Sequence, residues 1–213
     1  MSISITETQK ALLGRTLLSF EDIHLSLPGA QLLFSAQNST MMVHDNTDAI
    51  IVRNTINALE HFKDWLADDN SEMNCSFYIR LNELLAKEQA LSVGSFRSGN
   101  VNIDCIPEDI PPVNEVDIAR QIGLLEEVDK DNFLKVVPEV FCRLARMQPF
   151  WDGNKRSTCL LCNAALLRKR LGIFVIRDEK RSMEFSRHLH RYYTMQEETI
   201  FDYIGSALIE NIN

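Results

Sequence analysis

The residues whose types and spacing could do chemistry lie in one short run from Met147 to Thr158, which reads MQPFWDGNKRST. Asp-Gly-Asn is a turn sequence and the residues after it are apolar-periodic, so the run predicts a loop that enters a helix. A helix N-terminus offers unpaired N–H groups and a partial positive charge, so Lys155 and Arg156 placed there favour a phosphate ligand. Asp152 adds an oxygen ligand of the kind that Mg²⁺ prefers.

This run resembles the signature of the Fic/Doc (Fido) family, His-x-Phe-x-Asp/Glu-Gly-Asn-Gly-Arg-x-x-Arg, which has an Asn-Lys-Arg variant in its Doc branch. The matching residues are Phe150, Asp152, Gly153, Asn154, Lys155 and Arg156. Two positions depart, because Gln148 stands at the place of the leading His and Cys159 at the place of the trailing Arg. In the family that His takes the proton from a target hydroxyl, and a neutral amide cannot act as a general base near pH 7.

The resemblance implies the role of each motif residue. Gln148 occupies the catalytic position, Asp152 would hold Mg²⁺, and Asn154 and Arg156 would hold the phosphates of ATP or another nucleotide. Gly153 lets the backbone approach the nucleotide, and Lys155 matches the Doc branch. The implied activity is AMP transfer from ATP to a protein hydroxyl, weakened by Gln148. A catalytically inactive module that binds a nucleotide or a protein partner, and a Doc-like phosphotransferase, are the alternatives.

The segment from Ala90 to Val116 is similar to the region in which Fic proteins carry a β-hairpin flap. On this resemblance a protein substrate or partner docks on the flap, and a homodimer is also compatible with the family. The flap residues expected to meet the target are Ser95, Phe96, Arg97, Val101 and Ile103.

An inhibitory helix with the family pattern Ser/Thr-x-x-x-Glu-Gly/Asn could lie at the C-terminus. Ser206, Glu210 and Asn211 match that pattern, although Cys159 removes the family's arginine partner for Glu210. A second candidate is the segment 35–40, in which Ser39 replaces the Glu.

The elements that position the motif are mostly helices. Periodic apolar residues predict a helix that ends at Met147 and another that starts near Lys155, on the two sides of the motif. Further helices are expected at 46–67, 75–88, 181–194 and 197–211, with a small hairpin at 93–105 and a short extended segment at 173–176. The predicted fold is all-α, a helical bundle of the Fido type, with an N-terminal helical extension over 1–44 and the Fido domain over 45–213.

The bulk composition is that of a compact protein. The chain has 213 residues and a net charge of −8, but Phe141 to Met195 carries twelve Lys or Arg against four acids. A local basic field in an acidic chain favours a small anion over a nucleic acid. The sequence shows no membrane span or signal peptide, and five scattered cysteines suggest no disulfide framework, so we expect a cytoplasmic protein. His188 or His190 could serve as a substitute base.

Overall fold

The computed structural model describes residues 3–35 and 46–211, and helices account for most of them. The long connection between α4 and α5 holds the flap region, and α6 and α7 are joined by the motif loop. In chain order the helices are α1 Glu7–Ser19, α2 Leu27–Ser35, α3 Asn46–Ala67, α4 Cys75–Leu85, α5 Glu115–Glu126, α6 Phe133–Met147, α7 Asn154–Arg168, α8 Glu179–Met195 and α9 Thr199–Tyr203.

Helix α7 is the centre of the bundle. Thirteen of its fifteen residues are buried, so it is enclosed on all sides rather than amphipathic. Helices α3, α4, α5 and α6 all pack against it. Because α7 begins at Asn154, directly after the motif loop, its burial fixes the position of that loop in the fold.

Helix α1 belongs to the same core. Its N-cap Thr6 forms a capping box with Gln9, and most of the residues that follow it in the helix are buried. The buried Oγ1 of Thr16 accepts a hydrogen bond from the backbone N–H of Ile176, at 2.8 Å. The N-terminal segment that we predicted as an extension is therefore hydrogen-bonded to the chain that leaves α7.

The hairpin predicted at 93–105 is reduced to one β-bridge, between Val101 and Ile110. Three prolines at 107, 111 and 112 interrupt the second half of this region, and proline cannot donate to a strand ladder. The small hairpin predicted here is thus present as a single antiparallel bridge, displaced towards Ile110, within an otherwise irregular connection.

The end of the chain also differs from the prediction of one helix over 197–211. Helix α9 ends at Tyr203, a π-helical turn covers Ile204–Leu208, and Ile209–Glu210 form strand β2. That strand pairs antiparallel with β1, Ile173–Phe174. Asn163 of α7 holds β1 in place, because its side chain both donates to the carbonyl of Phe174 and accepts from the N–H of the same residue.

The other predicted helices agree with the structure to within a few residues at their ends. Helix α3 covers the predicted range 46–67, and α4 is capped by Asn74, whose side chain accepts from the N–H of Phe77. Among the described helices, none combines the length and the apolarity that crossing a bilayer requires.

Candidate functional site

The motif loop is a short connection bounded by two residues whose backbones have the left-handed helical conformation. Gln148 ends α6 with a φ of 47°, and Gly153 precedes α7 with a φ of 71°. A Cβ on Gly153 would lie 3.1 Å from Nδ2 of Asn82 and 3.3 Å from Cβ of Ala86, so both the backbone angle and the space require glycine here. Asn82 also donates to the carbonyl of Asp152, at 2.7 Å, and ties the loop to α4.

Asn154 is the internal brace of this loop. Its Oδ1 accepts from the N–H of Phe150 at 2.8 Å, and its Nδ2 donates to the carbonyl of Phe150 and to Oε1 of Gln148, both at 2.9 Å. The residue is only 5% exposed. The side chain that we predicted to hold phosphate makes these bonds within the loop, and its role towards phosphate stays a prediction.

Gln148 is held at both ends of its amide. Besides the bond from Asn154, its Nε2 donates to the carbonyl of Ala145 in the last turn of α6. An amide has no basicity near pH 7, and this one is hydrogen-bonded through both its nitrogen and its oxygen. Gln148 lies directly after α6, as predicted, and its side chain stabilises the loop.

Arg156 is a buried cation with unused donors. Its side chain is 0% exposed, and Nη1 donates to the carbonyl of Leu85 and to Oε1 of Gln89, both at 3.1 Å. Its Nε and Nη2 have no hydrogen-bond partner among the described residues. Buried N–H groups are normally satisfied, so this guanidinium is arranged to receive an acceptor.

Glu21, which the sequence did not single out, is the nearest anion to these donors. Its Oε1 lies 2.8 Å from Nε of Arg156, an ion pair whose direction does not complete a hydrogen bond. Burial raises the pKa of the Glu21 carboxyl above its usual value, and Arg156 only partly offsets that shift. The residue follows the end of α1, and no spacing in the sequence linked it to the motif.

The two predicted inhibitory segments do not supply such a carboxylate. Glu210 lies in β2 and forms a bidentate pair with Arg177, while the hydroxyl of Ser206 donates to the carbonyl of Asp202 in α9. Asn211 is exposed just after that strand. The helix predicted over 197–211 therefore does not continue to its predicted end, because Ile209 and Glu210 pair with β1 instead. Ser39 lies outside the described residues.

Asp152 is the exposed carboxylate of the loop. Its side chain is 40% exposed, lies 3.7 Å from Nη2 of Arg156, and accepts the N–H of Gly153 through Oδ1. Within the parts of the chain that the structure describes, no three acidic, His or Cys side chains cluster as a metal site. Any Mg²⁺ here would need phosphate oxygens in addition to Asp152, which is the usual way that Mg²⁺ binds beside a nucleotide.

Lys155 faces away from the loop towards α1. Its Nζ donates to the carbonyl of Phe20 at 3.1 Å and lies 5.9 Å above the ring of that residue. It borders a pocket of about 230 Å³ between the end of α1, the flap and α8. The other residues that line this pocket are Ser19, Phe20, Asp22, Ile103, Cys105, Phe185, Ser186, Leu189, His190 and Tyr193. Oη of Tyr193 is buried and has no partner among the described residues.

The flap is pinned to the motif by Arg97. This side chain is 2% exposed and donates only to backbone carbonyls, those of Gly99, Ile110, Pro111, Met147 and Gln148. Phe96 packs against Phe150, with ring centroids 5.3 Å apart. Of the predicted docking residues, Ser95 is therefore exposed, Val101 and Ile103 are half-buried, and Phe96 and Arg97 hold the flap in place.

The remaining candidates are structural or peripheral. Cys159 is buried in α7 and offers no cation at the place of the trailing Arg, and burial raises the pKa of its thiol. His188 stacks on Tyr203. His190 is exposed at the edge of the pocket beside Lys155.

Known proteins similar to this chain share the motif region and the fold. A model of the Fic/DOC family matches residues 72–166, which run from just before α4 to near the end of α7 and include the flap and the motif loop. No similar sequence was found among curated proteins.

Solved structures share the fold at low sequence identity. A Fic-domain-containing signalling protein of Bacteroides thetaiotaomicron is 18% identical with a TM-score of 0.68, and the match covers 94% of this chain and 83% of that one. A Fic family protein of Desulfovibrio desulfuricans is 22% identical with a TM-score of 0.67, over 94% of this chain and 62% of that one. The BepC protein of Bartonella tribocorum, solved with bound AMPPNP, is 8% identical with a TM-score of 0.57, over 85% and 98%.

Proposed function

We propose that this chain, a member of the Fic/DOC family, binds a nucleoside triphosphate at the motif loop and transfers AMP from it to a protein hydroxyl at a reduced rate. The observation that carries the proposal is Arg156, a fully buried guanidinium whose Nη2 has no hydrogen-bond partner among the described residues and whose Nε faces the Glu21 carboxylate in an ion pair. Phosphate oxygens are strong acceptors that match a guanidinium, and the N-terminus of α7 adds its partial positive charge beside them.

A pocket of about 230 Å³ is the candidate place for the rest of the nucleotide, and of the motif residues Lys155 alone lines it. Phe20, just after α1, and Phe185, Leu189 and Tyr193 of α8 form its aromatic and aliphatic walls. Such a mixture of apolar walls and a few polar groups is typical of small-molecule sites. The bound AMPPNP in BepC, whose fold is similar, is consistent with an adenine nucleotide as the ligand.

Magnesium fits the same arrangement through Asp152, whose carboxylate is partly exposed beside Arg156. Bound there with the nucleotide, the ion would neutralise phosphate charge. The residues of the chain then have separate tasks: Arg156 orients the phosphates, Asn154 keeps the loop in shape, and the flap presents the target.

The weak point of the proposed reaction is proton removal. In AMP transfer the hydroxyl oxygen of the target forms a bond to the α-phosphorus, the bond to pyrophosphate breaks, and the hydroxyl proton must leave. Gln148 cannot accept that proton, so it passes to water. The absence of a general base typically lowers a rate by about 10²–10⁴.

Phosphate transfer is the second candidate, because Lys155 matches the Asn-Lys-Arg variant of the Doc branch. In that reaction the hydroxyl attacks the γ-phosphorus and ADP leaves. The two reactions differ in which phosphorus atom is transferred.

A labelling experiment tests both candidates. We expect Gln148→His to restore a base, because one ring N–H can donate to the carbonyl of Ala145, as the Gln148 amide does, which leaves the other ring nitrogen unprotonated towards the target. Wild type and variant would be incubated with Mg²⁺ and either α- or γ-labelled ATP, together with cell extract as a source of targets. Protein labelled by α-phosphate, about 10²-fold or more faster in the variant, supports AMP transfer.

The same experiment can contradict the proposal. Label from γ-ATP alone would replace AMP transfer by phosphotransfer, and equal rates in the two proteins would point to another base. The matched control is Arg156→Gln in both backgrounds, which removes the charge that faces the phosphates. Retention of nucleotide binding in that variant, measured by calorimetry, would overturn the role given to Arg156.

A further inference from the structure

A second polar pocket lies on the other side of α8, beside the start of the motif. Its volume is about 480 Å³, larger than the pocket at Lys155, and the two share no lining residue. It is open to the surface between α5, the end of α6 and α8. The residues that line it are Asp117, Arg120, Gln121, Arg143, Arg146, Met147 and Tyr192.

Three arginines give this pocket its charge. Arg143 pairs with Glu139 one turn earlier in α6, whereas neither Arg120 nor Arg146 has an ion-pair partner among the described residues. Asp117 is the one acidic residue in the lining. In a chain with a net charge of −8, a pocket with two uncommitted guanidinium groups is a local attraction for anions.

Gln121, one of the lining residues, offers an unpaired hydrogen-bond acceptor. Gln121 is 3% exposed, and its Oε1 is buried without a partner among the described residues. A buried acceptor without a donor is unfavourable, so a ligand that brings an N–H group is preferred over one that brings only acceptors. Free phosphate carries acceptors for the arginines but no amide donor, whereas a peptide segment with acidic side chains carries both.

The pocket is also next to the proposed reaction centre. Met147 lines it and is followed directly by Gln148, and the carbonyls of both residues bind Arg97 of the flap. A protein segment held at the arginines would therefore run past the place where the flap meets the motif.

We propose that the pocket formed by Arg120, Gln121, Arg146 and Tyr192 is a docking site for an acidic segment of a partner protein. The carboxylates of that segment pair with Arg120 and Arg146, a backbone N–H serves the amide of Gln121, and the ring of Tyr192 covers the chain. This site does not depend on the proposed nucleotide site, since no residue from 148 to 156 lines it.

Peptide binding measured without nucleotide tests this site. Fluorescently labelled hexaglutamate would be titrated with the full chain at low salt and followed by anisotropy, with hexalysine and a Gly/Ser hexapeptide as charge controls. We expect binding of hexaglutamate alone, about two- to fivefold weaker in each of Arg120→Ala and Arg146→Ala, and weakened further in the double variant. Arg187→Ala removes an exposed arginine of α8 that lies outside the pocket and should leave the affinity unchanged.

Three results would overturn the proposal. They are the absence of hexaglutamate binding, equal losses in Arg187→Ala and the pocket variants, and displacement of the peptide by equimolar pyrophosphate, which would indicate a small-polyanion site. Circular dichroism of each variant shows whether it is folded. Arg146→Lys, which keeps the charge, should restore part of the affinity if the side chain acts through charge at the surface.

Discussion

At the scale of single residues, the site is governed by the ion pair between Glu21 and Arg156. The arginine is wholly buried, and the carboxylate lies where an anionic ligand would have to bind. Because burial raises the pKa of Glu21, its charged form is held at a cost. Less free energy is therefore lost when a ligand displaces the Glu21 carboxylate than when it displaces a carboxylate without such a burial penalty. A phosphate group can compete with Glu21 for the guanidinium of Arg156.

We predict that Glu21→Gln strengthens binding of ATP by about tenfold, because the carboxylate no longer competes for Arg156. Calorimetry on wild type and variant measures the change, and Glu83→Gln, at a half-exposed position of α4 away from the motif loop, is the matched control. Weaker binding in Glu21→Gln would mean that this carboxylate helps to hold the ligand.

The same residue predicts a pH dependence. A carboxyl with a raised pKa becomes protonated as the pH falls from neutral towards the folded pKa above 4.5, and the charged form that pairs with Arg156 is lost. The affinity of wild type should then approach that of Glu21→Gln as the pH falls. A ratio of the two affinities that stays constant between pH 7.5 and pH 5 would contradict this, and taking the ratio cancels the protonation of the nucleotide itself.

The raised pKa of Glu21 also sets how this residue affects the stability of the fold at different pH values. The folded state binds this proton more tightly than the unfolded chain, so the carboxyl lowers stability increasingly as the pH rises through its folded pKa. Below the unfolded value of about 4.5 the penalty disappears.

At the scale of elements, the flap is a loop that Arg97 holds against the end of α6. A guanidinium with five donors meets five carbonyls from two segments, and it replaces the strand ladder that the prolines prevent. The aromatic contact of Phe96 with Phe150 supports the same interface. The flap and the motif loop are therefore one structural unit.

We predict that Arg97→Ala lowers the free energy of unfolding by about 3 kcal/mol and loosens the flap, since several buried carbonyls lose their donor. Urea unfolding measures the first effect, and faster amide exchange of Val101 and Ile110 measures the second. Arg80→Ala, at an exposed arginine, should change stability by less than about 0.5 kcal/mol. If amide exchange of these residues is unchanged in Arg97→Ala, the Val101–Ile110 bridge is enough to hold the flap without Arg97.

At the scale of the whole molecule, α1 closes the bundle over α7 and brings Glu21 to the motif. The helix buries Leu13, Leu17 and Leu18 completely, and the bonds of Thr16 to Ile176 and of Phe20 to Lys155 join its C-terminal part to the chain around α7. The ion pair at the site thus depends on the docking of a helix far away in sequence.

We predict that Thr16→Val costs about 1–3 kcal/mol of unfolding free energy, because the buried N–H of Ile176 loses its acceptor. Thermal or urea unfolding checks the value, with the exposed Thr194→Val as the control. If α1 docks less firmly, the affinity for ATP should rise as Glu21 withdraws. A stability loss without any gain in affinity would separate the docking of α1 from control of the site.

The sequence by itself determined the helical elements, the motif loop between α6 and α7 and the absence of a base at Gln148. These features follow from local periodicity, turn residues and side-chain chemistry, each of which acts over a few neighbouring positions. Only the tertiary structure decided which groups meet: it turned Asn154 inward, paired Glu210 with Arg177, and placed Glu21 and not a C-terminal glutamate against Arg156. Such pairings depend on how helices that are distant in sequence pack together. The spacing of residues along the chain does not specify which partner a buried side chain will contact.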